Sequence, residues 1–456
     1  MKKNIDMISG PIFPNIIRFT VPVILTGVLQ LLFNAADLVV VGRYCGSISV
    51  AAVSATSALT NLIVNLFIGL SIGAGVAVAH GIGSMNREDV HRTVHTALPT
   101  ALVSGIFLTI IGVLFSKSFL EWMQTPENVL PLSTVYMQIY FAGILFSIVY
   151  NFCASILRAA GDTNSPLVFL MIAGVINVIL NLVFVIGFHM NVAGVALATT
   201  ISQGISAVLV VLALTKRKDA CHLEFKKMHF YIPQLKKIIR IGLPAGIQGT
   251  LFSISNVLIQ SSVNSFNSEA IMSGNGAAAN IEGFVYNSMN SFHQTAMNFI
   301  GQNTGAQRYD RINRIFGACL LSVTVVGLAM GISVYIFGEN LLSIYITDSP
   351  EAIMQGCIRF SYIALPYFVC GLMDVATGAL RGLGVSIVPM IVSIIGIVGF
   401  RILWIYTIFQ TPRFHNIQTL YLSYLISWII TFVIQFVMFL FIYRKQKLEV
   451  QLSVAI

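Results

Sequence analysis

The chain has 456 residues, of which 56% are hydrophobic and only 9% charged, with a formal net charge of +9. A soluble domain is nearer 25% charged, so this composition excludes a soluble enzyme or binding module and describes an integral membrane protein. The basic excess sits in short loops between apolar runs, which is the pattern of orientation in a bilayer and not of a nucleic-acid surface.

No alternating ten-residue pattern is present, which argues against a barrel, and helices satisfy their own backbone in lipid. Met1 to Pro14 has no apolar core ending in small residues, so no cleavable signal is expected. The apolar runs predict an all-α membrane protein of about twelve transmembrane helices, near 15–43, 50–82, 93–117, 132–157, 165–188, 191–215, 239–266, 271–302, 314–338, 353–380, 385–409 and 417–443. Lys2, Lys3, Arg87, Arg92, Arg158, Arg308, Arg311, Arg314, Arg381, Arg444, Lys445 and Lys447 fall on one side with the 216–240 loop. Only Arg43, Lys117 and Arg413 fall on the other. That asymmetry predicts that both termini are cytoplasmic.

The first span carries Gln30, Asn34 and Asp37 at i, i+4 and i+7, on one helical face. A carboxylate at that depth must be neutral, paired, or facing water or an ion. It reads as a loadable acid or as a structural one bonded to neighbouring helices. Span two repeats the device with Ser57, Asn61 and Asn65, which suits polar packing or a cavity wall. Asn151 lies in span four. Asn177 and Asn181, four apart on span five, share a face. With Asp37 they suit a proton site or an oxygen-lined sodium site, and interhelical packing is the plain alternative. Thr199 on span six is placed to join them.

The stretch from Thr215 to Arg240 is the only long polar one. It reads as a solvated tether at 216–238 between an N-terminal bundle, 1–215, and a C-terminal bundle, 239–456. Its last turns are amphipathic. The halves are self-similar. Residues 151–181 recur as 374–404, with Leu157-Arg158 on Leu380-Arg381, Gly161 on Gly384 and Pro166 on Pro389. Six spans per half make the repeat parallel, with a site expected near the midplane.

Span seven offers Asn256 and Gln260. Span eight places Glu282, Tyr286, Asn290, His293 and Met297 on one stripe, which suits a cationic, apolar substrate or a water-filled vestibule. Asp374 on span ten and Arg401 on span eleven are expected to pair, because a buried guanidinium wants a carboxylate. Arg401 reads as the only clear base inside a span. The six cysteines form no ligand spacing, and no metal is assigned to them. No P-loop or HExxH occurs, which removes an ATP-driven motor and a zinc hydrolase from consideration.

Taken together, Pro22, Gln30 and Asp37 on span one, the LRAAGD turn at 157–162 with LRGLG at 380–384, the two asparagines of span five and GQNTGAQR at 301–308 resemble the multidrug and toxic compound extrusion (MATE) family over essentially the whole chain. The resemblance implies a V-shaped pair of six-helix bundles, and antiport of organic cations or amphipathic drugs against protons or sodium, with no other cofactor. Asp37, Asn177, Asn181 and Thr199 match the family's N-lobe cation site, with Gln30 beside them. Many relatives carry Asp where this chain has Asn181. Phe252 stands where the branch coupled through its C-lobe has Glu. The first leaves the N-lobe one carboxylate instead of two; the second favours the DinF-like side, with N-lobe coupling, while Glu282 and Asp374 keep a C-lobe site open.

The expected protein is therefore a multi-pass antiporter of the bacterial cell membrane, functional as a monomer, with the lipid bilayer and small organic compounds as partners. Its cavity is expected to draw on Asn34, Asn61, Asn65, Asn151, Asn256, Gln260, the span-eight stripe, Asp374 and Arg401. The rivals are a lipid-linked saccharide flippase of the same superfamily, which should carry more basic residues in its cavity, and an integral membrane enzyme, for which no loop supplies a catalytic set.

Overall fold

The computed structural model describes residues 4–347 and 349–455, and among them no β-strand occurs. The helices are α1 (Ile12–Tyr44), α2 (Ser47–Gly83), α3 (Arg87–Trp122), α4 (Leu130–Ala159), α5 (Asn164–Leu182), α6 (Asn191–Thr215), α7 (Ile232–Asn264), α8 (Glu269–Gly305), α9 (Tyr309–Ile336), α10 (Gly338–Leu342), α11 (Pro350–Arg359), α12 (Tyr367–Gly382), α13 (Ile387–Ser393), α14 (Phe400–Tyr406) and α15 (Ile417–Ala455). π-helical turns join α11 to Pro366, join α13 to α14 and extend α5. Among the described residues, ten helical segments are long and apolar enough to cross a bilayer. The pair Pro350–Ala364 and Tyr367–Gly382, bent by 41° at Leu365-Pro366, supplies an eleventh. The remaining long helix, α8, has 37 residues and is rich in Asn and Ser, so it has the length but not the apolarity of a lipid-facing span. The all-α, multi-span architecture expected from the apolar runs is the one found.

The chain forms two compact units, residues 1–6 with 21–250 and residues 7–20 with 251–456. In the first, α4 packs against α2, α3 and α6, and α5 packs on α6. In the second, α12 packs against α8, α9 and α15, and α11 packs on α8. The central helix of each unit ends in the same turn. Gly161 and Gly384 both have φ of 84°, a left-handed conformation that costs glycine nothing. In both copies the glycine N–H returns to an arginine carbonyl, Arg158 at 2.9 Å and Arg381 at 2.8 Å. The next N–H returns to Leu157 at 2.9 Å and Leu380 at 3.0 Å. This is a helix C-cap of the Schellman type, and it explains why Leu-Arg and Gly recur at equal spacing.

Residues 216–231 depart from the expected solvated tether. The Glu224 N–H donates to Nε2 of His95 (3.0 Å), the Tyr231 N–H to Oγ1 of Thr96 (3.2 Å), and the Leu223 N–H to the Leu214 carbonyl (3.2 Å). Cys221 and Leu223 are buried in the core of the first unit. Burying those two apolar side chains favours a docked strap over a free one. α7 begins at Ile232, inside the predicted tether, and Gln234 donates to Oδ1 of Asp89 at its start (3.0 Å). Near that end, α2 and α7 cross so closely that a Cβ on Gly246 would collide with the Leu66 carbonyl, and one on Gly73 with the Ile238 carbonyl.

Candidate functional site

In the first unit, four polar side chains from three helices close a hydrogen-bonded ring. Asp37 comes from α1, Asn177 and Asn181 from successive turns of α5, and Thr199 from α6. Nδ2 of Asn181 donates to Oδ1 of Asp37 (2.5 Å) and to Oδ1 of Asn177 (3.2 Å). Oγ1 of Thr199 donates to Oδ2 of Asp37 (3.2 Å) and accepts from Nδ2 of Asn177 (3.3 Å). Asp37, Asn177 and Asn181 are buried. No basic side chain among the described residues forms an ion pair with Asp37, so its charge is met only by neutral dipoles. Oδ1 of Asn181 is buried without a hydrogen-bond donor. A proton on the carboxyl or a cation beside it would supply the missing positive charge, and the buried oxygen acceptors are hard ligands of the kind hard cations favour.

The other candidates of this unit lie apart from the ring. Gln30 and Asn34 share the Asp37 face of α1 but are exposed, and neither enters the ring. Asn61 is exposed and Asn65 half-buried on α2. Asn151 bonds the Ser147 carbonyl within its own helix (2.8 Å).

In the second unit the stripe on α8 divides among different tasks. Glu282 receives Nε and Nη2 of Arg359 (3.1 and 2.7 Å) in a forked ion pair. Nη1 of Arg359 and the Tyr421 hydroxyl both donate to Oδ1 of Asn275 (2.6 and 3.1 Å), and Nδ2 of Asn275 donates to Gln260 (2.9 Å). Gln260 is otherwise exposed and bonds Asn264 (2.9 Å), while Asn256 is exposed. Tyr286 is the exposed member of the stripe, and Met297 is buried. His293 is buried between two partners. Its Nδ1–H meets the Asp374 carbonyl (2.8 Å), which leaves Nε2 to accept from Nη1 of Arg381 (3.1 Å).

The expected Asp374–Arg401 pair does not form. The Asp374 carboxyl bonds Asn290, its charged neighbour is Arg381, and its Oδ2 has no hydrogen-bond donor. Arg381 lies two turns from Asp374 on the same helix, and the fold of the guanidinium toward His293 brings it inward. Arg401 instead lies 4.0 Å over the Tyr424 ring, with Nε donating to Ser427 (3.3 Å). Nor is Arg401 the only buried base. Arg359 and Arg381 are buried as well, although Arg381 had been counted with the orienting charges at the cytoplasmic face. Arg359, Asn275 and Tyr424 were not singled out from the sequence. A guanidinium six residues into a predicted span was the available signal for the first. Asn275 and Tyr424 have none, since each matters only through the arginines it meets.

The MatE family model matches the chain twice, over residues 22–183 and 244–407. The two matches begin at Pro22 and Pro244, one in each half of the duplicated chain. The probable multidrug resistance protein YpnP of Bacillus subtilis (strain 168) is 27% identical over 401 residues, covering 86% of this chain and 87% of its own. The probable multidrug resistance protein YoeA of the same organism is 27% identical over 393 residues, covering 84% of each. A solved outward-facing structure of a multidrug resistance MATE family transporter of the MOP superfamily shares the fold, with a TM-score of 0.89 at 19% identity, over 98% of this chain and 99% of that one.

Proposed function

The chain belongs to the MatE family, and from that membership we propose that it is a secondary antiporter of the bacterial cell membrane, exporting cationic or amphipathic drug-like compounds in exchange for protons or sodium. Relatives named as probable multidrug resistance proteins support export of drugs. The observation that carries the coupling is the ring around Asp37. A single acid held only by neutral donors, beside an unsatisfied Asn181 oxygen, binds a cation in one conformation and can lose it in another. Such differential affinity is what lets an ion gradient drive a conformational change. Asp37 acts as the loading group, Asn181 and Thr199 hold its oxygens, and Asn177 orders both.

The test is efflux of a cationic dye from cells making the protein, with proton and sodium gradients collapsed separately by selective ionophores. Export that persists when both gradients are gone would sink the antiport reading. The chain is oriented with both termini and the 216–231 strap in the cytoplasm, as the Lys/Arg asymmetry supports. Single cysteines at Lys2 and Phe230 should resist an impermeant thiol reagent applied to intact cells. The two-bundle division at 1–215 and 239–456 and monomeric action belong to the same reading.

A further inference from the structure

Six Asp, Glu, Lys or Arg side chains are buried among the described residues: Asp37, Glu282, Arg359, Asp374, Arg381 and Arg401. Five of them belong to the second unit, three guanidiniums against two carboxylates. Glu282 is taken by Arg359 through the fork, and Asp374 has Arg381 as its charged neighbour. Arg401 is left over. It is 4% exposed, and no carboxylate among the described residues forms an ion pair with it. Its contacts are one serine hydroxyl and the face of Tyr424. Arg359 also lies near that ring, 5.8 Å from its centre, so the tyrosine that meets Arg401 has a second cation beside it. An aromatic face offsets only part of a buried charge, and a guanidinium presents five donors of which a single hydroxyl occupies one. One turn further along the same face of α14, Ile405 lines a cavity of about 300 Å³ with Leu258, Ser261 and Ser262 of α7 and with His415.

We infer that Arg401 is the anchor for a carboxylate carried by an amphipathic substrate, which enters through the cavity between α7 and α14. The inference rests on the export reading and narrows its substrate class to compounds that join an apolar, cationic body to an acidic group. The guanidinium and the carboxylate form a forked pair, the Tyr424 ring of α15 supports the guanidinium from one side, and the Ser261 and Ser262 hydroxyls in the cavity wall take over the remainder of the acid's hydration.

Rhodamine B and its ethyl ester share one cationic ring system and differ in a free carboxylate, so they isolate this contact. Binding of each dye is measured on the purified, reconstituted full chain and on Arg401→Gln and Arg401→Lys. The unaltered protein should bind the free acid at least about tenfold more tightly than the ester, equivalent to ~1.4 kcal/mol. Arg401→Gln should erase the preference while leaving ester affinity within about twofold, and Arg401→Lys should keep part of it. Equal or tighter binding of the ester by the unaltered protein overturns the inference, whether or not the variants fold, as does binding of neither dye. A preference that survives Arg401→Gln overturns it too. Gradient-driven efflux of both dyes without a preference sinks this inference alone, whereas no efflux of either dye sinks the export reading.

Discussion

Asn181 gives Asp37 a 2.5 Å hydrogen bond with its nitrogen, while the oxygen of the same carboxamide lies buried with no donor. The pair is complete on one side and open on the other. Replacing the acid by its amide, Asp37→Asn, keeps the shape and removes a buried charge, so membrane abundance should stay within about twofold. Driven efflux should fall to background, since the ion then has no charge to distinguish the two conformations. Asp37→Asn protein at normal abundance that still exports dye at the parental, gradient-dependent rate would show that coupling lies elsewhere, with Asp374 and its open Oδ2 as the next acid to test.

Glu282 is the counter-ion of Arg359 and not a free acid. Glu282→Gln should therefore destabilise the protein by ~3–5 kcal/mol, the cost of a buried cation left without its partner. The double change Glu282→Gln with Arg359→Met removes both charges and should recover most of the loss. Melting temperatures of the four purified proteins decide the matter. Simple additivity of the two single defects would count against the pair.

Gly246 packs directly on the Leu66 carbonyl, with backbone as the obstacle and no flexible side chain to yield. Gly246→Ala should force α2 and α7 apart and cost roughly 1–3 kcal/mol, as overpacking does. The readout is the amount of folded protein recovered from the membrane. Gly276, with open space around it, is the control, and Gly276→Ala should be tolerated. Equal yields for the two variants would refute the close crossing.

Docking of the strap can be read through Cys221. Burial first, and then the Asp219 carboxylate, push its thiol up to about 12, so at neutral pH it is both shielded and protonated. In a variant with no other cysteine, Cys221 should react slowly with maleimide. His95→Ala removes the acceptor of the Glu224 N–H and should speed labelling by about tenfold or more, reporting a looser strap. Fast labelling in the parental background would mean that the strap is not docked.

Much of the Asp37 ring was legible in the sequence because its logic is local. Two asparagines four apart must share a helical face, and an acid among apolar residues is expensive enough to stand out. Gln30 met the same periodicity test and failed, since sharing a face with Asp37 says nothing about which face turns inward. The α8 stripe failed in a related way. Glu282, His293 and Met297 do lie on one side of the helix, but α11 claims Glu282 and α12 claims His293. The strap was misread because a basic stretch looks solvated, and the burial of Cys221 and Leu223 depends on a core built by helices far away in the chain.

By itself the sequence determined the all-α membrane class, the order and approximate limits of the spans, the duplication and its glycine turns, and the acid around which the hydrogen-bonded ring of the first unit forms. Each follows from composition, from helical periodicity or from a backbone conformation that only glycine adopts without strain. Tertiary structure alone decided the partners of the buried charges. Asp374 and Arg401 were matched by chemical sense, yet an ion pair requires side chains to meet within about 4 Å, and the helix on which a partner sits is a property of the packed bundle. That packing gave Glu282 to Arg359, set Arg381 beside Asp374, and left Arg401 on the face of Tyr424 with no acid of its own.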